Sequence, residues 1–390
     1  MSEGVPATDY RPARGGSYLT YDFARTPFTV AWEITRACAL ACVHCRAMAI
    51  PRRDPRELTT LEGFHLIDQV VELGRPILVI TGGDPMMRRD VFDLLGYAVD
   101  RGLRVGFSPS ATGRLTRSAL ERVREIGVSM VHISLDGSAP VIHDGFRRVR
   151  GSFQRTIRIL ADIVDLGIPL QIGTTVSRHN LHDLPRIAER VASVGATVWS
   201  VFFLVPTGRA AVADMITPAE HEQVFQWLAD LAEKAPFHVR TTAAPAFRRV
   251  MIERMRARSG AAAPSGSPDW QLTGAGYSFR LGDAPDGRGV NDGNGFCFIS
   301  HVGDVCPSGF LQIPAGNVRE RSLVEIYRES PLFTALRNPA LLKGKCGRCW
   351  LRVVCGGSRA RAYALTGDYL AADPSCVYEP PVEAGEEFPA

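Results

Sequence analysis

The chain has 390 residues, 45% of them hydrophobic, and a formal net charge of +4. This length supports one large domain with a smaller one, or two domains, and the near-balanced charge excludes nucleic acid as the main partner. No apolar run approaches the ~20 residues of a membrane span, which excludes a membrane partner, and Met1–Arg14 lacks an apolar signal core, so the reading is cytoplasmic. Lysine occurs only at Lys234, Lys343 and Lys345, which excludes a pyridoxal phosphate Schiff base in the first 233 residues.

In chain order, residues 1–27 form an N-terminal extension, and a strand is predicted over Phe28–Ile34. Further strands follow at Ile77–Thr81, Leu103–Phe107, Met130–Leu135, Leu170–Val176 and Thr197–Leu204. Helices fall between them. Thr60–Leu73 opens on the capping box Thr59 and Glu62, and Leu115–Ile126, Phe153–Leu166 and Leu184–Val194 each stop at a glycine. Thr217–Ala235 is a further helix. This βα rhythm predicts an α/β fold, an incomplete (β/α)6 barrel spanning residues 28–235, with a flat doubly wound sheet as the alternative. Residues 236–295 contain a linker or loop rich in Gly, Ala, Pro and Ser, and 296–390 form a small C-terminal domain.

All nine cysteines lie in two groups, which in a reducing compartment read as metal ligands. Cys38, Cys42 and Cys45 can wrap three corners of a [4Fe–4S] cube and leave one iron open; a zinc knuckle is the alternative. Cys346, Cys349, Cys355 and Cys376 offer four thiolates, enough to saturate a zinc ion or a second cube. Cys297 and Cys306 flank a hairpin turn at His301–Asp304 and read as structural thiols, with a partial cluster or redox pair as the alternative.

Other notable residues follow the strands, where the chemistry of a parallel barrel sits. Gly82-Gly83-Asp84-Pro85 offers close backbone approach, positive φ, and carbonyls with a carboxylate to accept from an ammonium. Ser108 and Ser110 follow the third strand and can contact ribose or cap a helix. Ser134 and Asp136 share a face at the end of the fourth. Arg147 and Arg148 follow His143-Asp144, and Thr174 and Asn180 lie by the fifth strand. After the sixth come Val205-Pro206-Thr207-Gly208-Arg209, whose apolar backbone suits an adenine.

The cysteine loop, the Gly82–Pro85 turn, and His143–Arg147 followed by Gly151-Ser152-Phe153 resemble the radical S-adenosylmethionine (radical SAM) enzymes. The resemblance implies that Cys38, Cys42 and Cys45 hold the catalytic cluster, whose open iron chelates S-adenosylmethionine. It implies that Gly82, Gly83, Asp84 and Pro85 hold the amino group, that Arg147 pairs with the carboxylate, and that Ser108, Ser134, Asp136, Thr174 and Val205 complete the cofactor site. His44 stands where an aromatic packs by the adenine, and Arg148 replaces a usual glycine. The second cysteine group, with Cys355-Gly356-Gly357, resembles the SPASM extension of these enzymes. Ser308 and Arg359 stand where cysteines of a second auxiliary cluster usually lie, so one auxiliary [4Fe–4S] cluster is expected.

The nearest branch contains haem-pathway radical decarboxylases and the peptide-modifying enzyme of pyrroloquinoline quinone synthesis. The implied reaction is cleavage of S-adenosylmethionine to a 5′-deoxyadenosyl radical that abstracts hydrogen from an unactivated carbon, with flavodoxin or ferredoxin as electron donor. The expected outcome is oxidative decarboxylation or side-chain modification of a carboxylate-bearing metabolite or tetrapyrrole, with Arg209, Arg359 and Arg361 as candidate carboxylate grips. Modification of a ribosomally made peptide is the alternative, and a non-catalytic zinc or iron–sulfur protein the reading outside that class.

Overall fold

The computed structural model describes residues 22–259, 271–274, 277–280 and 289–381. Most of the N-terminal extension and much of the Gly/Ala/Pro/Ser-rich loop lie outside the described residues. Strand β1 (Thr29–Glu33) leads to α1 (Thr60–Glu72), β2 (Ile77–Thr81), α2 (Val91–Asp100), β3 (Val105–Phe107) and α3 (Arg117–Ile126). Next come β4 (Met130–Ser134), α4 (Pro140–Arg147), α5 (Ser152–Asp165), β5 (Leu170–Val176), α6 (Leu184–Val194) and β6 (Val198–Phe203). Then follow α7 (Pro218–Ala232), β7 (His238–Thr242) and α8 (Phe247–Ser259).

Strands β1 to β7 are neighbours in chain order, and every pair is parallel. A doubly wound sheet reverses its strand order at a switch point; this one winds in a single direction, as a partial barrel does. The predicted strands recur within a few residues of their expected ends. The fold adds a seventh, β7, and the helices α2, α4 and α8; β7 and α8 fall in the segment 236–295 expected as linker. In α2, Val91, Leu94, Leu95 and Ala98 are buried, an i, i+3, i+4, i+7 stripe that identifies the helix.

Local chemistry sets the helix ends. In α1 the Thr59 side chain accepts from the Glu62 N–H while Glu62 accepts from the Thr59 N–H. Gly127 and Gly195 take left-handed conformations that close α3 and α6.

The strands separate two environments. Val30, Trp32, Leu78, Ile80, Val131, Ile133, Ile172, Trp199 and Val201 pack outward against the helices in one continuous core. Thr81, His132, Ser134, Gly173, Thr175 and Phe202 line the barrel interior instead. The period of two along each strand thus sorts core from site.

After a hairpin of β8 (Gln271–Gly274) and β9 (Tyr277–Arg280), β10 (Phe296–Ile299) pairs in parallel with β1. β11 (Asp304–Cys306) and β12 (Gly316–Asn317) continue that sheet antiparallel, so ten strands run from β12 to β7. Four short helices complete the described chain: α9 (Leu323–Glu329), α10 (Pro331–Leu336), α11 (Gly344–Arg348) and α12 (Arg359–Thr366). Among the described residues, no helix is long and apolar enough to cross a membrane.

Candidate active site

The loop after β1 carries Cys38, Cys42 and Cys45 to the mouth of the barrel and is clamped from three sides. The Cys38 N–H donates to Ile50 O (2.9 Å), the Val43 N–H to Phe146 O (3.0 Å) and the Arg209 N–H to Cys45 O (3.0 Å). The Arg209 guanidinium donates to Cys42 O (3.0 Å) and Ala49 O (3.3 Å). It therefore braces the loop with part of its donor fork while it lines the cavity.

Each sulfur of the loop has a donor. The Leu40 N–H reaches Cys38 Sγ (3.3 Å), the Ala49 N–H reaches Cys45 Sγ (3.4 Å), and Arg147 reaches Cys42 Sγ (3.4 Å). Such donors favour thiolates and tune a cluster held by them.

Cys38, Cys42, Cys45, His44, Gly82, Gly83, Ser108, Ser134, Arg147 and Val205 all line one cavity, with an empty volume of about 1200 Å³ including its mouth. Asp84, Pro85, Asp136 and Thr174 stand outside this lining. The Asp84 carboxylate is fully buried and accepts from the Met86 N–H (3.1 Å), the Ser110 N–H (3.3 Å) and Thr112 Oγ1 (2.8 Å). It pins the turn, which leaves glycine backbone on the cavity side.

Neither Gly82 nor Gly83 has a positive φ, contrary to expectation. Close approach alone requires them. A Cβ on Gly82 would lie 2.6 Å from Thr35 O, and one on Gly83 would lie 2.6 Å from Arg36 O and 2.7 Å from Ala37 O, in the backbone leading to Cys38. Gly83→Ala is therefore expected to push the cysteine loop aside, at a cost of about 1–3 kcal/mol. Thermal unfolding and bound iron check this; an unchanged melting temperature with full iron content contradicts it.

Arg147 is buried at the end of α4, paired with Asp136. Burial opposes its charge, but Asp136 and Cys42 outweigh that and raise its pKa. Asp136 also accepts the Thr175 N–H (2.7 Å), while Asn180 ties Asp136 O to Thr175 O. Arg148 adopts φ +57°, the left-handed region, which explains why glycine is usual there. Thr174 faces outward, bonded to Leu135 O and Trp199; its neighbour Thr175 faces the cavity. His44 packs on Phe146 at 4.4 Å between ring centroids.

The sequence reading passed over His132. Its Nδ1 lies 2.8 Å from Ser108 Oγ, its ring stacks on Phe202, and its buried Nε2 has no hydrogen-bond partner among the described residues. The signal was its period-two spacing with Ser134. Burial, then the charge of Arg147, lowers the pKa of His132 to about 4 and of His143 to about 3; burial, then Arg361, lowers that of His221 to about 4. These folded values lie below the unfolded value near 6.5, so the unfolded chain takes up protons first. Stability from these neutral rings is complete above about pH 6.5 and is lost as pH falls toward 4. Melting temperatures measured between pH 7.5 and pH 4.5 are expected to fall across that window.

Cys346, Cys349, Cys355 and Cys376 line a second, smaller cavity. The Asp373 N–H donates to Cys346 Sγ and the Gly357 N–H to Cys355 Sγ, both at 3.4 Å. Among the described residues, no three His, Cys, Asp or Glu groups are placed to hold a single metal ion. Four thiolates around one cavity, with backbone donors to two of them, fit a cluster. Arg359 is buried and donates to Tyr369 O and Ala371 O, with its Nη2 3.7 Å from Cys346 Sγ. Arg361 is buried against Ala243 O and Asp373. Both are structural, which corrects their reading as carboxylate grips. Ser308 accepts the Phe310 and Leu311 N–H groups.

Cys297 packs in the main core, whereas Cys306 packs with Ala31 and Phe298 on the other face of the sheet. Burial pushes the Cys306 thiol up to about 12 and the Cys297 thiol higher still. Both are buried thiols packed on opposite faces of the sheet.

A partial parallel barrel with a three-cysteine loop at the carboxyl ends of its strands, joined to a four-cysteine extension, defines an iron–sulfur enzyme built for radical chemistry. The chain belongs to the radical SAM superfamily, which it matches over residues 32–191. It is 41% identical over 371 residues to an AdoMet-dependent heme synthase of Nitratidesulfovibrio vulgaris, covering 95% of this chain and 97% of that protein. It is 30% identical to an Fe-coproporphyrin III synthase of Methanosarcina barkeri, covering 89% and 87%. Its fold is similar to that of Streptococcus suis SuiB bound to S-adenosylmethionine, with TM-score 0.67 and 16% identity over 91% of this chain and 78% of that one. Radical SAM enzymes use a [4Fe–4S] cluster and S-adenosylmethionine.

Proposed function

We propose that this enzyme oxidatively decarboxylates propionate side chains of an iron porphyrin, in the cytoplasm, with a flavodoxin or ferredoxin as electron donor. The observation that carries this reading is the 41% identity to a heme synthase along nearly the whole chain. The same observation favours a tetrapyrrole over a ribosomally made peptide.

Cys38, Cys42 and Cys45 would hold the catalytic cluster, which with S-adenosylmethionine bound supplies a hydrogen-abstracting 5′-deoxyadenosyl radical. Gly82, Gly83, Ser108, Ser134, Arg147 and Val205 line the space for the nucleotide. Asp84, Pro85, Asp136 and Thr174 support it from behind. Cys346, Cys349, Cys355 and Cys376 would hold an auxiliary cluster, which supplies one-electron exchange.

The substrate chemistry balances. One hydrogen atom leaves the carbon β to the carboxylate for the 5′-deoxyadenosyl radical, carbon dioxide departs from the next carbon, and the one electron released as the vinyl group forms goes to a one-electron acceptor, a role an auxiliary iron–sulfur cluster would suit. The chain's task is to exclude water and hold that β carbon beside the nucleotide. Apolar Leu204, Phe202 and Phe310 in the cavity wall suit this.

Anaerobic incubation of iron-loaded protein with S-adenosylmethionine, dithionite and Fe-coproporphyrin III tests the reading. The expected products are 5′-deoxyadenosine and a porphyrin lighter by carbon dioxide and two hydrogens per side chain. Formation of 5′-deoxyadenosine with the porphyrin unaltered rejects the substrate but keeps the class.

A further inference from the structure

Arg240 stands alone on β7. Register places it beside Ser200 of β6, which is beside Gly173 of β5, which is beside Ser134 of β4. Gly173 and Ser134 line the cavity. Thr242, two residues on from Arg240, has Oγ1 3.4 Å from Ser200 Oγ, and Phe202, two residues on from Ser200, lines the cavity. Period-two alternation therefore turns Arg240 to the interior face of the barrel.

The Arg240 side chain has no hydrogen bond and no ion pair among the described residues, and it is partly exposed. Burial nonetheless lowers its pKa below the ordinary arginine value. Its charge acts on His132 in the cavity wall and on Arg248. Arg248 spends its own donors on Val354 O and Val290 O.

Arg240, Ser200 and Thr242 stand just outside the cavity lining, on the same face as Gly173 and Phe202, which belong to it; the arginines of the lining itself have partners. Arg46 pairs with Glu33, Arg147 pairs with Asp136, and Arg209 donates to backbone carbonyls. A desolvated guanidinium without an acceptor is costly, and a bidentate fork is the geometry that recognises a carboxylate.

We propose that Arg240, with the hydroxyls of Ser200 and Thr242 beside it, is an anion subsite that grips a carboxylate of the substrate on the β6–β7 side of the barrel. This rests on the tetrapyrrole reading above, because a porphyrin tetra-acid offers carboxylates on every side of a flat ring. One is held at Arg240 while another is presented to the nucleotide.

Absorbance titration of purified protein with Fe-coproporphyrin III, and with its tetramethyl ester dispersed in detergent, tests this. Arg240→Met is expected to weaken binding of the tetra-acid by about 10- to 100-fold and leave the ester unchanged. Arg240→Lys, which keeps the charge but loses the fork, is expected to fall between. The melting temperature of Arg240→Met is expected not to drop, since a partly exposed charge with no ion pair is removed. Equal affinity of wild type and Arg240→Met for the tetra-acid overturns the subsite alone. Equal weakening of acid and ester marks a folding defect in place of a carboxylate contact and also overturns it. Wild-type protein that binds neither compound overturns the tetrapyrrole reading, and the subsite falls with it.

Discussion

Replacing Cys38, Cys42 or Cys45 by alanine is expected to abolish 5′-deoxyadenosine formation and to lower bound iron from about eight per chain to about four. The three sulfurs come from one loop, and each has its own donor, from Leu40, Arg147 or Ala49. Two thiolates cannot secure a cube against loss of its remaining irons. The Cys42 variant has a second consequence, because Arg147 loses one of its two partners. Alanine at Cys346, Cys349, Cys355 or Cys376 is expected to remove a similar amount of iron yet leave cleavage of S-adenosylmethionine measurable, since those residues line a separate cavity. Iron assay and chromatography of the nucleoside products check both. A loop variant that cleaves the cofactor at the wild-type rate refutes the assignment of that loop.

Asp136→Asn is expected to destabilise the protein by about 3–5 kcal/mol, the second largest effect anticipated here. The substitution leaves Arg147 buried with no acidic partner, and a guanidinium does not escape by losing its proton. It also replaces a carboxylate oxygen that accepts the Thr175 N–H. The double variant Asp136→Asn, Arg147→Met removes both charges and is expected to recover much of the lost stability without recovering affinity for S-adenosylmethionine. Chemical denaturation of the two variants and the wild type, with cofactor binding by calorimetry, checks this. A single variant as stable as wild type shows that the pair is not a supporting element of the site.

Much of the site was legible because ligand chemistry leaves dense local marks. Three thiols within eight residues, two glycines before Asp84, and the four later cysteines are each readable without knowing what lies across the barrel. The strand and helix ends were legible for similar local reasons: Thr59 with Glu62 closes a hydrogen-bonded box, and Gly127 and Gly195 take conformations that other residues resist. β7 was hidden because His-Val-Arg-Thr-Thr is neither a run of apolar residues nor clearly alternating; it becomes a strand through its pairing with β6.

By itself, then, the sequence determined the chemistry available: which thiolates exist, how they are spaced, and the βα order that carries them. Only the tertiary structure decided which polar residues are spent and which are free. Arg359 and Arg361 are consumed by carbonyls and by Asp373, Arg209 is spent in part on the cysteine loop, Asp84 is held by three donors and Asp136 by Arg147, whereas the Arg240 side chain has no hydrogen bond or ion pair among the described residues. The reason is physical. A charged side chain declares its charge along the chain, but its partner comes from whichever strand or loop folding brings beside it, tens or hundreds of residues away.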